Sequence, residues 1–385
     1  MKISILAAAA ALMAGACSAQ AANIEFWYGN TGVVEKAIQD QCAAFNAAQS
    51  EHRITCVGQG SYEVSMQKAI AAFRANKHPV LIQFFDAGTL DLMLSDAVVP
   101  VQDVLPDVRW DNYIAGARAY YETSGGKLFA QPYNSSTLLF YTNKTELEKA
   151  GITKTPATWE EIIEAARKLK ASGHACPFTT DGDTWRVLEQ FSARHGLPIA
   201  SRHNGYDGLD AEYVFNTTFA AKHLQNLVDW RKEGLVKLNA DTKAGNFTAA
   251  FNTGECAMME NSSGSYSASA KAFEGKYELS VGMAPMYEGY ERHNTFVGGA
   301  SIYIMKGRDK AEVEGAKAFL DFLRRPEQQM FLTAATGYVP VTNDVMDAIA
   351  KSGEANSPKY ATAAVGIESM NQPRTPDTRG IRLGF

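Results

Sequence analysis

A serine-rich turn around residue 262 is the part of the sequence best suited to bind a charged ligand. The run NSSGSYSASAKA, residues 261–272, places three serines and a glycine in four consecutive positions ahead of a helix-like segment. Backbone N–H groups and hydroxyls at the start of a helix form a ready site for an anion. An ordinary helix cap accounts for one serine, Ser262 for example, but less easily for all three. The turn therefore indicates anion binding as the chemistry to test.

Side chains that could catalyse a reaction do not form a recognisable motif. The sequence contains no G-x-S-x-G, Walker, H-E-x-x-H or dinucleotide-binding pattern. His195 and His203 are eight residues apart without cysteines or carboxylates at ligand spacing, so we interpret them as structural or surface histidines. Glu160 and Glu161 fall in the first turn of a helix, where the helix dipole explains them. We therefore expect a protein that is not an enzyme, with a glycoside hydrolase or a phosphodiesterase as the formal alternative.

The elements that must position the serine turn alternate between strands and helices. Residues 23–28, 53–59 and 79–85 have strand patterns, and amphipathic helices are predicted over 33–49 and 62–76. The third strand, PVLIQFF, is almost wholly apolar, as a parallel sheet covered on both faces requires. This order predicts an α/β lobe with right-handed crossovers.

Further along, the pattern indicates a second lobe. A strand containing Pro132 leads through a small polar cluster into another strand, TLLFYTN, and Thr158 is placed to cap the helix that follows. Near residue 298 the chain returns to a strand and a long amphipathic helix that ends at Pro326. We see no internal repeat and no flexible linker, so strand-like crossovers are expected to join the two lobes.

The first 22 residues have the features of a secretory signal peptide. One lysine precedes an apolar run too short to span a bilayer, and Ala19-Gln20-Ala21 is suited to cleavage just after residue 21 or 22. Lipid attachment at Cys17 is the weaker alternative, because AGAC lacks the usual large aliphatic residue. Export to the periplasm is therefore predicted.

Size and charge narrow the function further. The 363 residues after the signal suggest two domains, and no later apolar run has transmembrane length. The full sequence carries a formal net charge of −5 without a Lys/Arg cluster, which argues against nucleic acid or an anionic membrane as partner.

Four cysteines follow the signal peptide: Cys42, Cys56, Cys176 and Cys256. In an oxidising compartment, four cysteines can form two disulfides in three different ways. Cys42 on a helix-like segment and Cys56 on the next strand could form a local bridge. The close spacing of a zinc or redox site is missing, so structural bridges or buried thiols are expected, with neither a metal nor another cofactor.

Several longer stretches of the sequence resemble those of a known family. They are QPYNSST, GLPIASRHNGYDG, CAMMENSSGS, VGGAS, TGYVP and RGIRLG, spread from the first third of the chain to its end. Together they resemble the extracellular solute-binding proteins of the maltose-binding type, and within them the periplasmic glycerol-3-phosphate-binding proteins of ABC importers. The resemblance implies an α/β, type II periplasmic binding fold, whose two hinged lobes close on one small molecule and are then read by a membrane permease. A monomer is expected.

The same resemblance implies lobe boundaries and ligand contacts. We assign residues 23–134 and 298–337 to the N-terminal lobe, and residues 135–297 and 338–385 to the C-terminal lobe. Carried over residue by residue, the family's ligand contacts fall on Tyr62, Asp86, Ser136, Trp185, Ser262, Gly299, Tyr338 and Arg382.

The roles implied for these residues suit a dianion with two hydroxyls on a short carbon chain. The resemblance implies that Arg382 pairs with the phosphate, that the serines and tyrosines donate to it, and that Asp86 accepts from a hydroxyl. Trp185 would wall the carbon chain, and Gly299 would admit the backbone close to the ligand. Each has a plainer alternative: Asp86 as a helix cap, the serines as a cap or a strand-edge residue, Gly299 as a turn or bulge, and the tyrosines as packing residues.

Three departures from the family pattern concern the ligand itself. Asp86 stands where a glutamate is usual, Gly182 where a tryptophan is usual, and Tyr28 where a histidine is usual. Losing an indole opens volume, which favours a larger glycerophosphodiester such as glycerophosphocholine over glycerol 3-phosphate. An oligosaccharide is the alternative ligand, although sugar sites need several stacking aromatics. In the resembling proteins more residues follow RGIRLG, so the C-terminal segment appears truncated, and we expect a terminal strand here to fray and to weaken binding.

Overall fold

Two sheets organise the computed structural model, which describes residues 22–123 and 125–381. The strands are β1 (Ala22–Tyr28), β2 (His52–Gly58), β3 (Leu81–Phe85), β4 (Val98–Val99), β5 (Gln131–Ser136), β6 (Leu138–Asn143), β7 (Phe178–Thr179), β8 (Val236–Lys237), β9 (Met258–Ser262), β10 (Leu279–Met283) and β11 (Gly298–Met305). The predicted signal peptide and Cys17 precede the described residues, apart from Ala22.

The first sheet has the order β2-β1-β3-β11-β4, with β5 paired to β11 beside it. β1 is parallel to β2 and to β3, which confirms the predicted parallel start. β11 is antiparallel to β3, β4 and β5. The second sheet has the order β10-β6-β9-β7-β8, with β6 antiparallel to both β10 and β9. The predicted α/β class with two sheets is therefore confirmed.

Helices cover the sheets. They span Gly32–Ala48, Tyr62–Arg74, Thr89–Leu94, Val101–Val104, Ala115–Arg118, Lys144–Lys149, Trp159–Ala171, Phe191–Arg194, Ser201–Gly205, Phe219–Lys232, Phe247–Asn252, Tyr266–Phe273, Lys310–Arg324, Pro326–Thr336, Asn343–Lys351 and Ala361–Met370. Trp185–Gln190 is a π-helical turn, and 3-10 turns occupy Asp86–Gly88, Trp110–Asn112, Phe215–Thr217, Asn239–Asp241, Ser263–Ser265, Pro358–Tyr360 and Pro376–Thr378.

Local signals place the helices. Thr158 and Glu161 form a capping box at the start of Trp159–Ala171, as predicted. Pro326 ends one helix and begins the next, where its fixed backbone angle suits the first turn. Among the described residues, no helix is long and apolar enough to cross a membrane.

Two disulfides staple the fold. Cys42 on the helix Gly32–Ala48 is bonded to Cys56 on β2, the local bridge considered from the sequence. Cys176 is bonded to Cys256 across 80 residues, and both are fully buried next to the second sheet. The sequence left this second pairing open.

The chain crosses between the sheets at two places that matter for the site. Only Thr137 separates β5 of the first sheet from β6 of the second, and residues 284–297 lead from β10 back to β11. Thr137 Oγ1 donates to Thr295 Oγ1 at 2.7 Å, so the two crossings lie side by side. The exact lobe boundaries remain a prediction.

Candidate ligand-binding site between the two sheets

Ser136 and Trp185 both lie next to Gly298 at the crossing between the sheets. Ser136 is buried at the end of β5, and its partner in the strand register is Gly298 of β11. The indole of Trp185 lies directly over Gly298, because a Cβ built there would be 2.5 Å from Trp185 Cζ2. The indole Nε1 is buried, and within residues 22–123 and 125–381 it has no hydrogen-bond partner. A ligand at this crossing could accept from that N–H group.

Tyr62 is held by three amide side chains. Its hydroxyl oxygen accepts from Asn30 Nδ2 at 3.1 Å and from Asn134 Nδ2 at 2.8 Å. Gln83 Nε2 donates to both asparagine Oδ1 atoms at 2.7 Å, which fixes how the two amides point. Because the phenol oxygen already accepts twice, its O–H group is left to act as a donor. Tyr62 is therefore more than a packing residue.

Tyr338 connects Tyr62 with the serine-rich turn. Its ring lies against Gly264, since a Cβ there would be 2.8 Å from Tyr338 Cε1. Gly337 just before it adopts a φ of 94°, and a Cβ at that position would be 2.5 Å from the carbonyl oxygen of Ser263. The close approach of the two segments therefore requires glycine.

Both phenols remain protonated at neutral pH. Burial raises the pKa of Tyr62 well above its usual value, and the nearby Tyr338 raises it further. Burial also raises the pKa of Tyr338, although hydrogen bonds from Asn134, Tyr62 and Asn30 oppose this shift. The two neutral phenols are hydrogen-bonded to each other, with Tyr62 as the donor and Tyr338 as an acceptor, so the O–H group of Tyr338 is the phenolic donor left for a ligand.

The serine turn has the backbone expected of an anion site. Ser262 ends β9, a 3-10 turn spans Ser263–Ser265, and the helix Tyr266–Phe273 follows. Ser262 Oγ accepts from Gly264 N at 3.1 Å, which is the capping role considered as its alternative. Ser263 is fully buried, and none of the described residues provides a hydrogen-bond partner for its Oγ. The cap uses an acceptor lone pair of Ser262, so its hydroxyl hydrogen can still be donated.

Asp86 follows β3 directly and faces a carboxylate from the other lobe. Asp86 opens the 3-10 turn Asp86–Gly88, and Gly88 holds the N-cap position of the helix Thr89–Leu94. Glu189 lies on the π-helical turn that begins with Trp185. Burial, and then the charges of Asp86 and Asp183, raise the pKa of Glu189 to about 8, against the opposing effect of a hydrogen bond with Tyr120.

Gly299 and Gly182, the two glycines discussed from the sequence, lie in different surroundings. Gly299 has a φ of 104° and would place a Cβ 2.1 Å from the carbonyl oxygen of Asn134, next to an irregularity in the strand register. The bulge considered as its alternative is therefore present, and backbone contact with a ligand stays a prediction. Gly182, where the family has a second tryptophan, is exposed and borders a cavity of about 640 Å³. That cavity is also lined by Thr180, Val187, Leu224, Leu227 and Leu238.

The segment before Arg382 is described as far as Ile381, and Arg382 itself lies outside the described residues. Pro376–Thr378 is a 3-10 turn, and Gly380 and Ile381 are not part of a strand. The strand-like setting inferred for this segment is therefore wrong up to Ile381. Its partner in the fold is the stretch Arg202, His203 and Asn204, with φ values of 56°, 51° and 59°. Left-handed backbone costs a non-glycine residue about 1–2 kcal/mol, so three in succession need compensation from their surroundings.

His195 has a structural role, as expected from the sequence. His195 is buried, its Nδ1 lies 2.8 Å from the Phe191 carbonyl oxygen, and its Nε2 accepts from Tyr287 N at 3.1 Å. Burial and then the charge of Arg194 lower its pKa to about 3, so it is neutral. No cluster of three or more His, Cys, Asp or Glu residues among those described is placed to hold a metal ion.

Sequence reasoning missed four residues at this site: Asn30, Gln83, Asn134 and Glu189. A signal existed for Gln83, which is the one polar residue in the otherwise apolar strand PVLIQFF. Asn134 lies inside the word QPYNSST, but the role of its amide depends on Tyr62, which is 72 residues away. The sequence around Glu189 carries no comparable signal.

Comparisons with known proteins agree on one family. The family model described as "Bacterial extracellular solute-binding protein" matches residues 40–362. The chain is 36% identical to the sn-glycerol-3-phosphate-binding periplasmic protein UgpB of Yersinia pestis bv. Antiqua, over 94% of this chain and 83% of the relative. It is also 36% identical to UgpB of Escherichia coli O1:K1, over 99% of this chain and 87% of the relative.

Solved structures share the fold at lower identity. UgpB from Mycobacterium tuberculosis in complex with glycerophosphocholine superposes with a TM-score of 0.74 at 20% identity, covering 92% of this chain and 87% of that one. The GacH receptor of Streptomyces glaucescens, solved without ligand and with acarbose, gives a TM-score of 0.75 at 18% identity, covering 92% and 87%. These similarities confirm the two-lobed, maltose-binding-like fold.

Proposed function

This chain belongs to the bacterial extracellular solute-binding proteins, and we propose that it captures a glycerol-phosphate compound in the periplasm for an ABC importer. The observation that carries the proposal is the pair of neutral phenols, Tyr62 and Tyr338, beside the serine turn at Ser262. Hydroxyl and amide donors of this kind, converging from two sheets, suit a phosphate oxygen cluster. The curated relatives are named as periplasmic binding proteins for sn-glycerol 3-phosphate, which supports the same ligand class.

Different residues bind different parts of the ligand. Tyr62, Tyr338, Ser136 and Ser262 donate to the phosphate, and Arg382 adds the positive charge that a phosphate requires. The hydroxyl hydrogen that Ser262 keeps beyond its cap supports this division, and the Tyr62 hydroxyl, which donates to Tyr338, would turn to the phosphate when the ligand binds.

The remaining contacts hold the carbon chain and its hydroxyls. Trp185 forms one wall, and its buried indole N–H is available to a hydroxyl or a phosphate oxygen. Asp86 accepts from a hydroxyl of the glycerol group, and Gly299 lets the backbone approach. A glycine at 182, where the family has a second tryptophan, leaves out one indole, which supports a glycerophosphodiester such as glycerophosphocholine over the smaller glycerol 3-phosphate.

Binding is coupled to closure of the lobes. Tyr62 and Asp86 adjoin strands of the first sheet, whereas Trp185 and Ser262 adjoin the second. A ligand that contacts both groups stabilises the closed form, by about 2.7 kcal/mol at a hundredfold excess over Kd. The membrane permease reads that closed form, the protein acts as a monomer without nucleic acid, and it performs no chemical step on its ligand.

A thermal-shift panel on the mature protein tests the proposal. The ligands are glycerol 3-phosphate, glycerophosphocholine, inorganic phosphate and maltose, with product analysis after each incubation. We expect the glycerol-phosphate compounds to raise the midpoint and to be recovered intact. A rise with maltose alone would make the oligosaccharide alternative correct, and release of a cleavage product would make the protein an enzyme.

A further inference from the structure

Among residues 22–123 and 125–381, no hydrogen bond or ion pair links the left-handed turn at Arg202, His203 and Asn204 to a residue assigned to the ligand, yet the turn keeps an unfavourable backbone. Asn204 is completely buried in the turn, and Arg202 is held outside by Asp210 at 2.8 Å. Strained backbone persists only where surrounding contacts fix it, so the contacts of this turn indicate what it does.

The side-chain amide of Asn204 has two sets of partners. Its Oδ1 accepts from the backbone N–H groups of Ile199 and Ala200, both at 2.9 Å, which closes the turn on itself. Its Nδ2 donates to the carbonyl oxygens of Asp377 and Arg379 at 2.8 and 2.9 Å. One buried amide therefore ties the turn to the segment that leads to Arg382.

Neighbouring contacts fix the same segment. His203 Nδ1 lies 3.0 Å from Asp377 Oδ1, and the Arg379 guanidinium lies 5.0 Å from the centre of the Tyr206 ring. Asn294 Nδ2 donates to the Thr378 carbonyl oxygen at 3.2 Å. The segment is thus held on several sides before it reaches residue 380.

The last described residues run from the contacts that hold residues 377–379 towards the ligand site. A Cβ at Gly380 would lie 1.8 Å from the Tyr120 hydroxyl oxygen, so the backbone there is pressed against that ring. Tyr120 in turn lies within electrostatic range of Glu189 and Asp86, two carboxyls of the site. Ile381 is buried in the same hydrophobic cluster as Ile199. The path of the chain is therefore set up to the residue before Arg382.

We propose that Asn204 is a positioning residue: its amide docks residues 377–379 and so sets the point from which Arg382 reaches the phosphate. The ligand half of this statement rests on the function proposed above. It also gives a role to the stretch GLPIASRHNGYDG, none of whose residues is among the assigned ligand contacts.

The test uses the change Asn204→Asp in the full mature protein. Asp keeps the oxygen that accepts from Ile199 and Ala200 and tolerates left-handed backbone, but it places an oxygen against the carbonyls of Asp377 and Arg379. The matched control is Asn246→Asp, where an exposed helix cap bonds Ala249 N at 2.9 Å and Asp caps equally well. Gly380→Ala is a second, independent way of displacing the same segment.

Two readouts decide the outcome. Hydrogen exchange of a peptide covering residues 375–381 should become faster in Asn204→Asp and in Gly380→Ala, and stay unchanged in the control. Calorimetric titration with glycerophosphocholine and glycerol 3-phosphate should show about tenfold weaker binding for Asn204→Asp. In an Arg382→Ala background the same change should add less than about twofold, because both act through one arginine.

Other results would overturn the inference. Unchanged exchange in Asn204→Asp would show that the amide does not dock the segment. If the double variant loses affinity by the product of the two single-variant losses, Asn204→Asp acts through a general structural effect and not by positioning Arg382. If the unmodified protein binds neither compound, the proposed function is wrong, and so is the statement about ligand binding. Hydrogen exchange then still tests whether Asn204 holds residues 377–379 in place.

Discussion

Replacing Gly298 by alanine should displace Trp185 without touching the indole chemically. Gly298 has no left-handed backbone, so alanine is compatible with its conformation. The added methyl carbon would lie 2.5 Å from Cζ2, 2.8 Å from Cε2 and 3.0 Å from Nε1 of Trp185. Ordinary carbon contacts begin near ~3.5 Å, so the indole must move by about 1 Å.

A movement of that size should weaken binding measurably. An aromatic wall against a ligand contributes about 1 kcal/mol, and its loss corresponds to about fivefold weaker affinity. A glycerophosphodiester with a cationic head group should lose more than inorganic phosphate does, because only the larger ligand extends along the wall. Calorimetric titration with the two compounds measures the difference.

Gly282→Ala provides the control. Gly282 is also a strand glycine without left-handed backbone, in β10, and a Cβ there meets no atom within 4 Å. Both variants gain the same methyl group in a strand, but only one disturbs Trp185. If Gly298→Ala binds the diester as tightly as Gly282→Ala does, Trp185 is not a wall of the site and the reasoning fails.

The remaining predictions concern stability and its dependence on pH. Gln83→Leu should lower the free energy of unfolding by about 2–3 kcal/mol in chemical denaturation, since it leaves the half-buried amide of Asn30 and the buried amide of Asn134 without their donor; an unchanged midpoint would mean that the amides re-pair. The pKa of Glu189 is raised from 4.5 to about 8, so between these values the native state holds a proton that the unfolded state has released, and the free energy of unfolding should fall as pH rises. Glu189→Gln should flatten that slope in urea titrations across the window, and an identical slope would place the cause elsewhere.

Patterns local in sequence predicted the fold well. The apolar strand PVLIQFF and the alternation before it required a covered parallel sheet, and β1, β2 and β3 form one. Thr158 caps its helix because a capping box is complete within four residues. Such features depend on neighbours along the chain, so the sequence shows them directly.

The contacts of the site were harder to predict from the sequence because they join residues far apart along the chain. The role of Gln83 depends on two asparagines more than 50 residues away on either side. The pKa of Glu189 is raised by burial and then by the charge of Asp86 from the other lobe, and nothing near either residue in sequence indicates that they come together. Asn204 was part of a recognised word, but its partners at 377 and 379 appear only once the chain is folded.

The end of the chain is where the strand prediction failed. TPDTRGIRLGF suggested a strand by its apolar and glycine pattern, yet the residues up to Ile381 are held by side-chain contacts from an amide and a histidine. Glycine at 380 is needed for the close approach to Tyr120, not for a strand or a turn.

The most direct test of the central claim is a crystal structure of the mature protein with glycerophosphocholine. We predict a closed form in which phosphate oxygens lie within hydrogen-bond distance of the hydroxyls of Tyr62, Tyr338 and Ser262, with Trp185 beside the carbon chain. A ligand bound away from these hydroxyls, or a phosphate turned to solvent while another group fills the space between the phenols, would contradict the account.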